Sequence, residues 1–162
     1  MSVDSTPVST TYRAEQLPAL LQRCGSGPGV VFDLETNGIS SRNSVVSCAA
    51  IKFHIDPVGG ILTERERFLR FYFPQEPPNP QAERVHGLTL DVIALRRAEA
   101  AYPRHFAVDQ DFPAFCEGVP LFVAHNIDFD AAFVPFLRFR ERFCTMKSNT
   151  RGKWPKLQET AR

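Results

Sequence analysis

The sequence carries almost no excess charge: Lys+Arg number 19 against 18 Asp+Glu, a formal net charge of +1. A protein that holds nucleic acid by bulk charge needs a strongly basic surface, so any nucleic-acid site here must be local. Cysteine is sparse. Cys24, Cys48, Cys116 and Cys144 lie far apart with no CxxC pair, and three of them sit in or beside apolar runs, so they read as small hydrophobes in a reducing cytoplasm. Long apolar runs are missing too. No stretch reaches membrane-spanning length, and Met1–Thr11 is Ser/Thr-rich without the apolar segment of an export signal, which predicts a soluble cytoplasmic chain. No internal repeat and no second domain is found. What is present is an ordinary globular mixture of 162 residues, 43% hydrophobic and 23% charged, enough for one domain with a buried core.

Residues 1–28 read as an N-terminal tail and peripheral helix. Positions 1–11 look loose, and Leu17, Leu20 and Leu21 fall at helical spacing before the breaker run Gly25-Ser26-Gly27-Pro28-Gly29. Val30-Val31-Phe32 predicts a buried strand that ends in Asp33-Leu34-Glu35-Thr36-Asn37-Gly38, with a turn at its last two residues. Strand-like stretches at 45–55 and 61–73 suggest an antiparallel meander, followed by a proline-rich link from Pro74 to Pro80. A helical pattern starts near Gln81, breaks at Gly87 and resumes through Ile93, and 96–118 reads as mixed helix and loop. Leu121–Ala124 predicts an interior strand, Asp130 onward a helix carrying Phe133, Phe136 and Leu137, Phe143–Met146 a further strand, and Lys156–Arg162 a helix with no stop signal.

In a strand, residues i and i+2 share a face, so Asp33 and Glu35 present two carboxylates side by side. Such a pair is tolerated when a proton is shared or when a hard cation such as Mg²⁺ or Mn²⁺ takes their oxygens as ligands. The bland alternative is a polar turn capping a strand. A second acidic cluster, His125-Asn126-Ile127-Asp128-Phe129-Asp130, also follows an apolar strand and precedes a helix, where Asn126, Asp128 or Asp130 can equally serve as an N-cap. Were the two strands parallel neighbours, both clusters would face one edge of the sheet, where α/β proteins place ligands.

The segments Phe32–Gly38 and His125–Asp130 resemble the first and second motifs of the DnaQ-like (DEDD) exonucleases, a family that includes the epsilon proofreading subunit of bacterial DNA polymerase III and RNase T. Between them Val85-His86-Gly87-Leu88-Thr89 is similar to the family's Val-His-Gly-Ile-Thr segment, and order and spacing agree across 29–162. The resemblance implies a ribonuclease H-like α/β fold: a central mixed sheet with three early antiparallel strands and helices on both faces. It also implies metal-dependent 3′→5′ hydrolysis of single-stranded DNA or RNA 3′ ends, with DNA as the first choice, release of nucleoside 5′-monophosphates, and a DNA polymerase as partner. Asp33, Glu35 and Asp130 then correspond to catalytic ligands of two divalent cations, Mg²⁺ or Mn²⁺. Leu34, Thr36 and Asn37 fall near the terminal nucleotide, with His86 and Asn126 as further substrate contacts. Phe129 alternates with the acids and reads as core. The basic stretch Lys147–Lys156 with Trp154 reads as a solvated loop or a phosphate contact.

The family's third motif, His-x-x-x-x-Asp or Tyr-x-x-x-Asp, has no counterpart: no Asp follows Asp130, no His follows His125 and no Tyr follows Tyr102. The expectation is a C-terminally incomplete exonuclease domain over 29–162, weak or inactive by itself. The alternative class is a non-catalytic nucleic-acid-binding or polymerase-associated module of the same fold. A haloacid-dehalogenase-type phosphatase also opens with Phe-Asp-Leu, but it wants Asp where this chain has Glu35.

Overall fold

The computed structural model describes residues 9–11 and 13–148. The β-branched and aromatic runs form the expected meander: β2 (Gly27–Thr36) pairs antiparallel with β3 (Val45–Asp56), and β3 with β4 (Ile61–Phe71). On the other side of β2 lies β5 (Leu121–Ala124), parallel to it, and then β6 (Glu141–Cys144), parallel to β5. An outer strand β1 (Ser9–Thr11) completes a mixed sheet in the order β1-β6-β5-β2-β3-β4.

Alternation along β2 assigns its two faces. Val30, Phe32 and Leu34 point into the main core, where they meet Cys48, Ala50 and Phe68 of the meander and Phe112 and Phe115 of α4 (Asp111–Phe115). On the opposite face α1 (Leu17–Cys24) lays Leu20 on Phe53, Ile55, Leu121 and Phe143. Gly29 makes this contact possible: a Cβ there would stand 2.3 Å from Cζ of Phe53, so only glycine lets the ring lie against the strand. Helices therefore cover both faces, and the sheet is of the ribonuclease H-like kind that the motifs imply.

Two short helices follow the meander. Asn79 caps α2 (Pro80–His86) by accepting from the Gln81 amide, and Gly87, at φ 73°, ends it in the left-handed conformation that glycine adopts at least cost. Thr89 then caps α3 (Leu90–Arg97). The break expected at Gly87 is thus a helix stop.

Three expectations shift. Residues 9–11, read as part of a loose tail, form β1 with Thr11 buried. The helix expected from Asp130 lies upstream, as α5 (Ile127–Ala132), because Pro135 lacks an amide hydrogen and disfavours helix at Val134. The strand expected at Phe143–Met146 ends at Cys144, where α6 (Thr145–Ser148) begins. The helix expected at Lys156–Arg162 and most of the basic stretch Lys147–Lys156 lie outside the described residues. No helix among the described residues is long and apolar enough to cross a membrane.

Candidate active site

Asp33 and Glu35 leave β2 on the face opposite its core residues, Asp33 the more exposed of the two and Glu35 half-buried. Their partners across the ladder are Ala49 and Ser47, whose small side chains leave the carboxylates room. A register shift between Glu35 and Thr36 bends the strand directly after the second acid, as bulges beside functional sites do. Because β5 runs parallel to β2, both chains deliver their C-terminal ends to the same edge of the sheet. The chain leaves β5 through His125 and Asn126 into α5, and this short helix carries Asp130, only 4% exposed, against the end of β2.

Pairing of β2 with β5 runs from Gly29 to Val31, so the β5-side edge of β2 is open further along. There the Leu34 amide faces the Asp130 carboxylate and favours its charged form, without a well-formed hydrogen bond. This backbone dipole opposes a stronger effect. Burial pushes the Asp130 carboxyl up, the charges of Asp33 and Glu35 push it further, and it reaches about 7. Glu35 is raised by burial and then by the charge of Asp33, and Asp33 by burial, against the pull of His125. The three acids of two separate motifs therefore share one electrostatic field. Among the described residues no three His, Cys, Asp or Glu side chains are gathered closely enough to make a ready metal cage. The donor set itself, carboxylate oxygens only, is the kind that hard divalent cations prefer.

The other expected contacts divide. Leu34 points into the core, 5% exposed, because it alternates with the acids, so its side chain does not face a nucleotide. Thr36 is buried and donates to the Gly38 carbonyl at 2.8 Å. Asn37, 3% exposed, donates through Nδ2 to Glu76 and to the Pro77 carbonyl, and its Oδ1 accepts from the Asn79 amide, so the side chain is fully engaged in tying the turn after β2 to the start of α2. His86 accepts from the Leu88 amide through Nδ1, while Nε2 lies buried toward the Thr36 carbonyl without a well-formed hydrogen bond. These four side chains build the rim of the site from inside. Asn126 differs: it is half-buried at the junction of β5 and α5 and makes no side-chain capping bond. Asp128 is turned outward and meets Lys147 at 2.7 Å. Phe129 is partly buried against the main core and lies 5.0 Å from the Phe133 ring.

Two participants carry no sequence signal. One is the Leu34 amide, since no side-chain pattern announces a main-chain donor. The other is Glu76, hidden in the proline-rich link, whose carboxylate accepts from the Ser44 amide and hydroxyl and from Asn37.

Known proteins resemble this chain in sequence and in fold. The chain is 34% identical over 106 residues, 65% of its length, to the PolC-type DNA polymerase III of Streptococcus mutans. It is 32% identical over the same length to that of Streptococcus suis. It spans 6% of the length of these relatives. Among solved structures, exonuclease I superposes with a TM-score of 0.51 at 18% identity, covering 74% of this chain and 28% of that one. The ExoI/SSB-Ct complex gives 0.53 at 16%, covering 83% and 33%. No protein-family model matches. The chain is thus similar in sequence to PolC-type DNA polymerase III over 106 residues and in fold to exonuclease I, as the acidic motifs that meet at one sheet edge led one to expect of a DnaQ-like exonuclease domain.

Proposed function

We propose that the chain is the core of a metal-dependent 3′→5′ exonuclease that releases nucleoside 5′-monophosphates from single-stranded ends, DNA in the first instance, in the service of a DNA polymerase. The observation that carries this reading is the meeting of Asp33, Glu35 and Asp130 in one field at the shared edge of β2 and β5. A phosphodiester is itself an anion and three carboxylates repel it, so the arrangement suits hydrolysis only when cations neutralise both. Asp33, Glu35 and Asp130 are the residues that would hold two divalent cations, Mg²⁺ or Mn²⁺. When bound, these supply an activated water and stabilise the leaving oxygen.

The chain's own part is positional. Burial leaves the anionic form of Asp130 under-solvated, so the site gains from any cation that replaces the missing water. The Leu34 amide faces that carboxylate and favours its anionic form, and the Asn37–Glu76–Ser44 network fixes the turn beside it.

The test is release of mononucleotides from a 3′-labelled single-stranded oligonucleotide in Mg²⁺, Mn²⁺ or EDTA, on the chain and on a form extended at its C-terminus. Metal-dependent release that falls by roughly 10²-fold or more on Asp33→Ala is the expected result. Binding without any shortening of DNA or RNA would transfer the reading to a non-catalytic nucleic-acid-binding module.

A further inference from the structure

Two cavities flank one aromatic ring. The first, about 290 Å³, lies between the loop after β2 and the end of α5, with Arg42, Gln75, His105 and Phe133 in its wall. The second, about 580 Å³, is walled by Arg138, Arg140 and Glu117 among others. Phe136 lines both, so it stands on the ridge between them. It is 47% exposed, and its ring rests 6.2 Å from Phe106, which holds it in place from below. Arg42, Arg138 and Arg140 are exposed, and none of them enters an ion pair among the described residues.

This local composition departs from that of the whole chain. The molecule is close to neutral, yet the first cavity has no carboxylate in its wall and the second has Glu117 alone against two arginines. Exposed guanidinium groups on either side of a presented aromatic face are the complement of a single nucleic-acid strand, whose phosphates seek cations and whose bases seek a ring to stack on. A volume near the lower end of small-molecule sites suits a base with its sugar. The groove also begins at the right place. Ser44 and Val45 line the first cavity, and Val45 pairs with Thr36, directly after Glu35. Ala132 lines it too, two residues beyond Asp130 on α5.

We propose that this groove, from Arg42 past Phe136 to Arg138 and Arg140, is a secondary binding track for a single nucleic-acid strand, holding nucleotides upstream of the end engaged by the acids, with Phe136 stacking a base. The assignment of the strand's end rests on the exonuclease reading; the groove itself does not.

The test is fluorescence anisotropy in EDTA with labelled single-stranded DNA, comparing a dinucleotide with an octanucleotide. Phe136→Ala is expected to weaken the octanucleotide roughly tenfold while leaving the dinucleotide unchanged, and Phe136→Trp to restore binding. Replacing Arg138 and Arg140 together by Gln is expected to flatten the salt dependence of octanucleotide binding by about 1.4 in the log–log slope. Thermal melts and far-UV circular dichroism of each variant separate lost binding from lost fold. Equal octanucleotide affinity for the parent and a folded Phe136→Ala protein, or no octanucleotide binding by the parent, overturns the proposal. A protein that binds through Phe136 but never cuts keeps the groove and loses the exonuclease reading. One that cuts with an octanucleotide KM indifferent to Phe136→Ala does the reverse.

Discussion

Asp130 is where the proposed function and stability oppose each other most directly. Its carboxyl titrates at about 7 in the folded protein, against about 4 for an unperturbed aspartate in the unfolded chain. The folded state therefore binds the proton more tightly, and ionisation works against folding. Without metal, this loss is absent below about pH 4, grows as pH rises and is complete above about 7. Asp130→Asn keeps the size and shape of the side chain and removes the charge. It is expected to stabilise the metal-free protein at pH 8 by on the order of 2 kcal/mol, with no gain at pH 4, in paired thermal melts. Mg²⁺ should narrow the gap by stabilising only the parent, and the variant should lose metal-dependent cleavage. Identical melting curves at pH 8 would mean that Asp130 is not held uncompensated. Stability given up at one carboxylate is the usual mark of a site kept for chemistry.

At the scale of elements, the turn after β2 and the link before α2 act as one piece because Glu76 joins them. Burial works against its ionisation, but hydrogen bonds from the Ser44 hydroxyl and amide and from Asn37 outweigh that and hold its carboxyl at about 2. A lowered carboxyl contributes stability that is complete above about 4.5 and lost as pH falls toward 2, a window below that of Asp130. Glu76→Ala leaves the Ser44 and Asn37 donors without an acceptor, so it should cost about 1–2 kcal/mol in urea unfolding at pH 7. The cost should shrink toward pH 2; a loss independent of pH would assign Glu76 a packing role instead. None of this was legible beforehand, since the partners lie 32 and 39 residues apart along the chain. The strands that carry the acids were legible, because Val30-Val31-Phe32 and Leu121–Ala124 are apolar runs ending in carboxylates. Their parallel pairing was only a condition, which the sheet fulfils. β1 was hidden, for Ser-Thr-Thr has no apolar alternation and becomes a strand only through pairing with β6. α5 was misplaced because the spacing of Phe133, Phe136 and Leu137 imitates a helix that Pro135 forbids.

For the whole molecule, β2 is the spine: one face is core along its length, and the other is apolar under α1 and acidic beyond it. Gly29 and Asp33 stand on that second face, four residues apart, so packing of the α1 layer and placement of the site depend on the same strand. A methyl at Gly29 would meet the Phe53 ring at distances no real Cβ shows, and Phe53, 8% exposed among Leu20, Ile55, Leu121 and Phe143, has little room to withdraw. Gly29→Ala is therefore expected to cost about 1–3 kcal/mol, seen as a lower urea midpoint with an unchanged m-value. The clash predicts a specific coupling. Phe53→Leu alone should destabilise by leaving a gap beside Gly29, while Gly29→Ala and Phe53→Leu together should cost less than the sum of the two, because the methyl occupies the space the ring gives up. Strictly additive losses would show that Gly29 is required for another reason. Activity gives the second reading of the same pair: if β2 transmits the strain along the strand to Asp33, Gly29→Ala lowers kcat and the double variant recovers it, whereas an unchanged kcat confines the strain to the α1 side of the sheet.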